Sequence, residues 1–197
     1  MTLPLPLLFF FFQSPGEWQR AGENAFRAGK YKESVEAFDK VLAVLPQEAP
    51  HHWQRGISLY YAGRFVECRD QFALHRSVNP EDFENAAFHM LCAARIDGFA
   101  KARKELIPIK ADTRQGMHEQ YLLWKGQGSA AEVLRAAGSN RTAQFYANLY
   151  LALFEETRGK RDDSKKYAKL AAELAGPDYM GDVARAHWRE LSASKLP

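Results

Sequence analysis

The sequence predicts an all-α fold, a solenoid of paired helices closed by a C-terminal capping helix, and three observations predict it. Residues of one kind recur 34 positions apart: Gly22 with Gly56, Gly29 with Gly63, Tyr31 with Phe65, Phe38 with Phe72, and Pro46 with Pro80. No segment alternates apolar and polar residues as a half-buried strand would. The stretch 178–194 places Met180, Val183, Ala184, His187, Trp188 and Leu191 on one helical face and Asp182, Arg185, Arg189 and Glu190 on the other. An array of helix pairs needs such an amphipathic end piece, because its last pair would otherwise expose its core.

The elements follow in order. Met1 to Phe12 are Leu, Phe and Pro with one Thr, a run too short to span a bilayer. Segment 1–15 is either the signal peptide of an exported protein or an apolar strand on the first helix pair. Against a signal peptide, no Lys or Arg precedes the run and no small-x-small cleavage site follows it. The first pair covers 16–46, with helices over 16–28 and 31–45, and the second covers 50–80, with helices over 50–62 and 65–77. Gly22 and Gly56 sit mid-helix, where each costs about 1 kcal/mol of helix propensity unless a close approach of the second helix compensates. Gly29 and Gly63 end the first helices, where a left-handed cap suits glycine. Pro46 and Pro80 stop the second helices. The third pair, 83–108, is degenerate. Ala86, Ala93, Phe99, Ala102 and Leu106 hold the expected offsets, but Gly98 is displaced by one position and Pro108 cuts the second helix short. The fourth pair, 114–138, has helices over 114–126 and 129–137. Its Ser129-Ala130-Ala131-Glu132 is a capping box, and Gly138 terminates it. The fifth pair, 141–176, has an overlong first helix before Gly159. The cap at 178–194 ends the array.

Composition excludes several classes of function. The 197 residues fit one domain. The net charge of +3 comes from basic residues scattered among acidic ones, so no stripe tracks a phosphate backbone and nucleic acid is not expected as a partner. No stable membrane span is expected either. Cys68 and Cys92 match no zinc spacing. They are read first as two buried, unlinked side chains, with a disulfide as the alternative if the chain is exported. His51 and His52 are adjacent, which points them to different sides of a helix and prevents chelation of one metal. His118-Glu119 lacks the second His of a zinc-protease helix. There is no glycine-rich phosphate loop and no strand to support one. Neither metal, cofactor nor catalytic residue is expected.

The 34-residue unit, with its small residue, helix-ending Gly, two aromatics and closing Pro, resembles the tetratricopeptide repeat (TPR). That resemblance implies a right-handed α-α superhelix whose first helices line a concave groove. The stretch Gly56-Ile57-Ser58-Leu59-Tyr60-Tyr61-Ala62-Gly63-Arg64-Phe65 is similar to the matching repeat of bacterial periplasmic TPR adaptors of the NlpI type. Asn79-Pro80-Glu81-Asp82 and Phe145-Tyr146-Ala147-Asn148-Leu149-Tyr150-Leu151 are similar to segments at corresponding places, over roughly residues 18–190. This implies an envelope adaptor, but no cysteine follows the apolar run, a departure from the lipoprotein pattern, so a lipid anchor of that type is not expected. TPR domains that clamp a chaperone C-terminal carboxylate carry Asn after the mid-helix Gly. Here Glu23 and Ile57 stand there, which argues against that ligand.

The expected function is therefore a non-enzymatic scaffold that holds a protein or peptide partner in its concave groove. The groove positions include Arg27, Trp53, Ile57, Tyr60, Tyr61 and Arg95. Trp53, Ile57, Tyr60 and Tyr61 fall at i, i+4, i+7 and i+8 on one helical face. Aromatics with polar handles beside arginines are what binding hot spots favour. The same stripe could instead pack against neighbouring helices. A second group breaks the repeat pattern: Arg55 stands where a buried Leu belongs, His52 where a large aromatic does, His75 where an Ala does, and His89 in the Leu slot of the third copy. An unpaired buried cation costs several kcal/mol, so Arg55 needs a partner, for which Asp70 and Glu67 are candidates. The group is either a polar network holding two repeats in register or a pocket for an anionic small molecule.

Overall fold

In a computed structural model that describes residues 14–193, every regular element is helical. The apolar run read as a signal peptide or strand lies at 1–13, outside the described residues. Helix α1 (Pro15–Arg27) opens with a full capping box: the Ser14 hydroxyl accepts from the Glu17 amide at 3.3 Å, and the Glu17 carboxylate accepts from the Ser14 amide at 2.6 Å. It forms a hairpin with α2 (Tyr31–Val44). The close approach that the mid-helix glycines suggest is real, because a Cβ on Gly22 would lie 2.4 Å from the Phe38 ring. One on Gly56 would lie 2.7 Å from the Phe72 ring. Gly29 and Gly63 share φ of 77°, the left-handed cap that reverses each hairpin.

Between the first two pairs, Pro46–His51 forms a short 3₁₀ turn containing two prolines, and α3 (Trp53–Tyr61) therefore starts at Trp53 rather than near 50. Helix α4 (Phe65–His75) completes that pair. The third pair is lopsided: α5 (Phe83–Asp97) is long, and α6 (Phe99–Lys104) ends before Pro108, leaving 105–116 irregular. Then come α7 (Met117–Lys125), α8 (Ala130–Ala137), α9 (Arg141–Thr157), α10 (Arg161–Leu174) and α11 (Tyr179–Ala193). Ser129 caps α8 through the Glu132 amide at 3.3 Å, as its capping box predicts.

Neighbouring helices pack against one another along the chain, but the middle and the ends are also tied across it. A buried aromatic spine joins α5, α7 and α9: Phe83 lies 5.6 Å from Trp124 and 5.2 Å from Tyr150, and Trp124 lies 5.3 Å from Phe154, ring centre to ring centre. Helix α11 packs on α10 and also on α1, so the array curls until its last helix meets its first pair. Cys68 on α4 and Cys92 on α5 form a disulfide, which corrects the expectation of two unlinked thiols; successive hairpins bring their Cα atoms within 5.9 Å. No described helix is long and apolar enough to cross a membrane.

Two buried histidines make the fold acid-sensitive. His52 packs against Phe38 with the ring centres 4.8 Å apart and the planes tilted by 59°, and burial pushes its pKa down to about 4. Burial also lowers that of His187, which is 2% exposed on α11. The ordinary histidine value is about 6.5, so between that pH and about 4 the unfolded chain binds protons that the folded chain refuses. Stability is full above about pH 6.5 and falls as the pH drops. The His52 contribution alone should reduce unfolding free energy by about 2 kcal/mol between pH 7 and pH 5. Urea titrations at the two values should show this, and a His52→Leu variant should show a smaller difference. Equal midpoint shifts in parent and variant would remove His52 from the effect.

Candidate functional site

The aromatic stripe read from the sequence lies on α3, and α11 packs over part of it. Tyr179 on α11 stacks on Phe26 at 5.0 Å, meets Trp53 edge-on at 5.4 Å, and shares a hydrogen bond with Ser58 at 3.2 Å. Ser58 in turn hydrogen-bonds Ser34 at 2.9 Å, linking α2, α3 and α11 through three hydroxyls. His187 faces Tyr61, and Asp182, 3% exposed, pairs with Arg27 at 2.9 Å and Arg185 at 2.7 Å. Arg27 is therefore committed to an intramolecular ion pair. So is Arg95, which donates to the Tyr60 hydroxyl at 3.3 Å and pairs with Glu156 at 3.1 Å. Tyr60 is 4% exposed, and burial pushes its hydroxyl pKa up to about 12. The Tyr61 ring packs against Phe26, Tyr31 and Tyr60, and its hydroxyl is buried. Of the six residues expected in the groove, Trp53 and Ile57 line a cavity, Ile57 with only 1% of its surface exposed, and the other four serve internal contacts.

Arg55 is likewise engaged, though not by Asp70 or Glu67. Those pair with Arg69 and Arg64 beside them in the chain. Arg55 instead donates to Asp39 on α2 at 2.6 Å and to Gln71 on α4 at 3.1 Å, and Gln71 donates to the Ala49 carbonyl at 2.7 Å. His75 hydrogen-bonds the Pro50 carbonyl at 2.7 Å. These bonds knit α2, the 3₁₀ turn, α3 and α4 together. His52 and His75 line separate cavities, and neither Arg55 nor His89 lines either one, so the four do not assemble into one pocket.

A cavity of about 580 Å³ opens at the junction of the second and third pairs. Its apolar lining is Trp53 and Ile57 from α3, Phe72 from α4, Phe88 from α5, Tyr146 from α9 and Met180 from α11, and His75, Asn79 and Asn85 line it too. Four carboxylates add to the lining. Glu81 and Asp82 come from the turn before α5, Glu84 from the first turn of α5, and Asp112 from the irregular 105–116 segment. Arg114 is the single lining cation among the described residues and pairs with Asp82, Glu84 and Asp112. Local rules explain the placement: Asp82 caps α5 through the Glu84 amide at 3.1 Å, and Asp112 accepts the Phe83 amide at 3.1 Å. Glu81 holds the Lys110 and Ala111 amides, which pins the long loop against the start of α5. Burial, with Asp82 beside it, pushes the Glu84 carboxyl above its usual range despite Arg114, and Tyr150 donates to it. Burial opposes ionisation of Asp112 too, but hydrogen bonds from Arg114 and Phe83 hold it low.

No known family model matches the chain. The acidic lining of the cavity is not legible in the sequence. Its one local signal is three carboxylates, Glu81, Asp82 and Glu84, packed around a helix start. Nothing in the spacing announces that Asp112 and Arg114, some 30 residues on, return to them. Among the described residues, no cluster of His, Cys, Asp or Glu is arranged to hold a metal ion.

Proposed function

We propose that the chain is a TPR-type, non-catalytic recognition module that holds a peptide segment of a protein partner. The observation that carries this is the cavity itself: an opening on the α3 side of the second pair, with Trp53 and Met180 in its apolar lining and charged residues beside them. Peptide-binding surfaces combine desolvated aromatic anchors with polar margins in this way. The 34-residue period and the glycine–phenylalanine approaches at Gly22 and Gly56 support the TPR assignment. The Cys68–Cys92 disulfide supports an oxidising compartment, such as a periplasm or organelle lumen, over a reducing cytosol. A small-anion site at His52 and Arg55 is the weaker reading, because Asp39 and Gln71 already occupy the guanidinium.

Selection of random peptides displayed on phage against the folded chain, followed by fluorescence anisotropy, tests the proposal. Trp53 is half-buried and packs on Tyr179, so Trp53→Ala should lower the melting temperature by a few degrees yet leave a cooperative transition, while weakening selected peptides by about tenfold or more. Failure to enrich any peptide, or equal binding by the variant, would overturn the assignment of this cavity.

A further inference from the structure

Resting on that reading of the cavity, we infer that residues 110–114 form a strap that swings aside to admit a segment and closes over it, latched by Arg114. The strap makes one side of the cavity, which Ala111, Asp112, Thr113 and Arg114 line. It is suspended between two fixed points. Ile109, 9% exposed, anchors its start. At its end Gln115 donates to the Ala136 and Ala137 carbonyls at 2.9 and 3.1 Å, and the Met117 amide donates to the Arg114 carbonyl at 3.1 Å. Between these anchors Lys110, Ala111, Thr113 and Arg114 are exposed and Asp112 is half-buried, so the strap moves without pulling an apolar side chain of its own from the core. Polar contacts hold it down. Glu81 accepts the Lys110 and Ala111 amides, Asp112 accepts the Phe83 amide at 3.1 Å, and Arg114 reaches across to Asp82 and Glu84. The seat of the latch is fixed independently of the strap: Asp82 caps α5, and the buried Tyr150 donates its hydroxyl proton to Glu84. The Arg114 side chain is 43% exposed, so water and salt compete with the carboxylates for it. A segment with few buried apolar contacts and solvent-accessible hydrogen bonds opens locally while the rest of the fold stays intact.

Amide hydrogen exchange on the full chain, read residue by residue by NMR, tests the strap before any peptide is needed. The Phe83, Lys110 and Ala111 amides report its docking, and Leu91, buried in α5, reports the core. The three should be at least about tenfold less protected than Leu91, and dilute urea should leave their rates unchanged, because local opening exposes little surface. Arg114→Gln should raise all three rates by about tenfold and leave Leu91 unmoved. Arg114→Lys, which keeps the charge but not the fork of donors, should fall between. Added salt should carry the parent toward the Arg114→Gln rates, and cooperative melts check that both variants fold. A peptide selected against the parent should slow the three amides when bound, and should associate with and leave Arg114→Gln several-fold faster. If the three amides are as protected as Leu91, or Arg114→Gln leaves them unmoved, the strap does not open on its own and the inference is overturned. If they respond but the peptide binds variant and parent at the same rates, the loop gates nothing; the inference is overturned and the peptide reading stands. If they respond and no peptide is ever selected, the strap stands and the peptide reading falls.

Discussion

A chain that stops after Pro177, and so lacks α11, should fail to fold as a cooperative unit. Helix α11 buries Met180, Val183, Ala184, Ala186 and Leu191, which together contribute about 8 kcal/mol of apolar burial. That is comparable to the whole stability of a typical domain, about 5–15 kcal/mol. Its removal also strips Tyr179 from Phe26 and Trp53, His187 from Tyr61, and Asp182 from Arg27. Far-UV circular dichroism during heating should show no sharp transition for the truncated chain. A milder variant separates packing from gross truncation: Tyr179→Ala should cost about 3 kcal/mol, or roughly 6–12 °C in Tm. If the truncated chain melts within a few degrees of the full chain, α11 is an appended cap and not part of the core.

Removing the Cys68–Cys92 link should cost at least as much as that packing variant. The bridge closes a segment with a sequence separation of 24. A disulfide restricts the unfolded chain, and loop-closure entropy for that length corresponds to about 3.5 kcal/mol. A Cys68→Ala, Cys92→Ala double variant should therefore lose about 3–4 kcal/mol in urea titration, with little change in slope per unit of surface exposed. The parent, titrated with a reductant present, should move toward the same midpoint, and the double variant should be indifferent to reductant. Coincident parent curves with and without reductant would show that the bridge contributes nothing to stability.

The fold and the site differ in how much of each is legible along the chain. The helix pairs are readable because their signals are local: a glycine that must turn with positive φ at 29 and 63, a Ser-x-x-Glu box at 129–132, prolines at 46 and 108. Each acts within a few residues of itself. The Gly22–Phe38 and Gly56–Phe72 contacts are also inferable, since the two partners lie within one hairpin and recur with the period. That Arg55 needs a partner follows from its place in the repeat. Its choice of Asp39 over Asp70 does not, because that depends on how one pair rests on the next. The disulfide is undecided in the sequence for the same reason: a spacing of 24 between Cys68 and Cys92 fixes no distance until α4 is laid against α5.

By itself, then, the sequence determined the all-α class, the 34-residue unit, and the aromatic stripe on α3. These follow from periodicity and from backbone preferences that act along the chain. Only the tertiary structure decided which part of that stripe is free. Curling of the array brings α11 over Phe26, Arg27 and Tyr61, and it brings Asp112 and Arg114 back to the start of α5. Both events are long-range closures, governed by the summed tilt of successive pairs and by a loop without a period. The physical result is that hydrophobic burial takes the first half of the expected groove for the core, and a cavity with four carboxylates in its lining remains at Trp53 and Ile57.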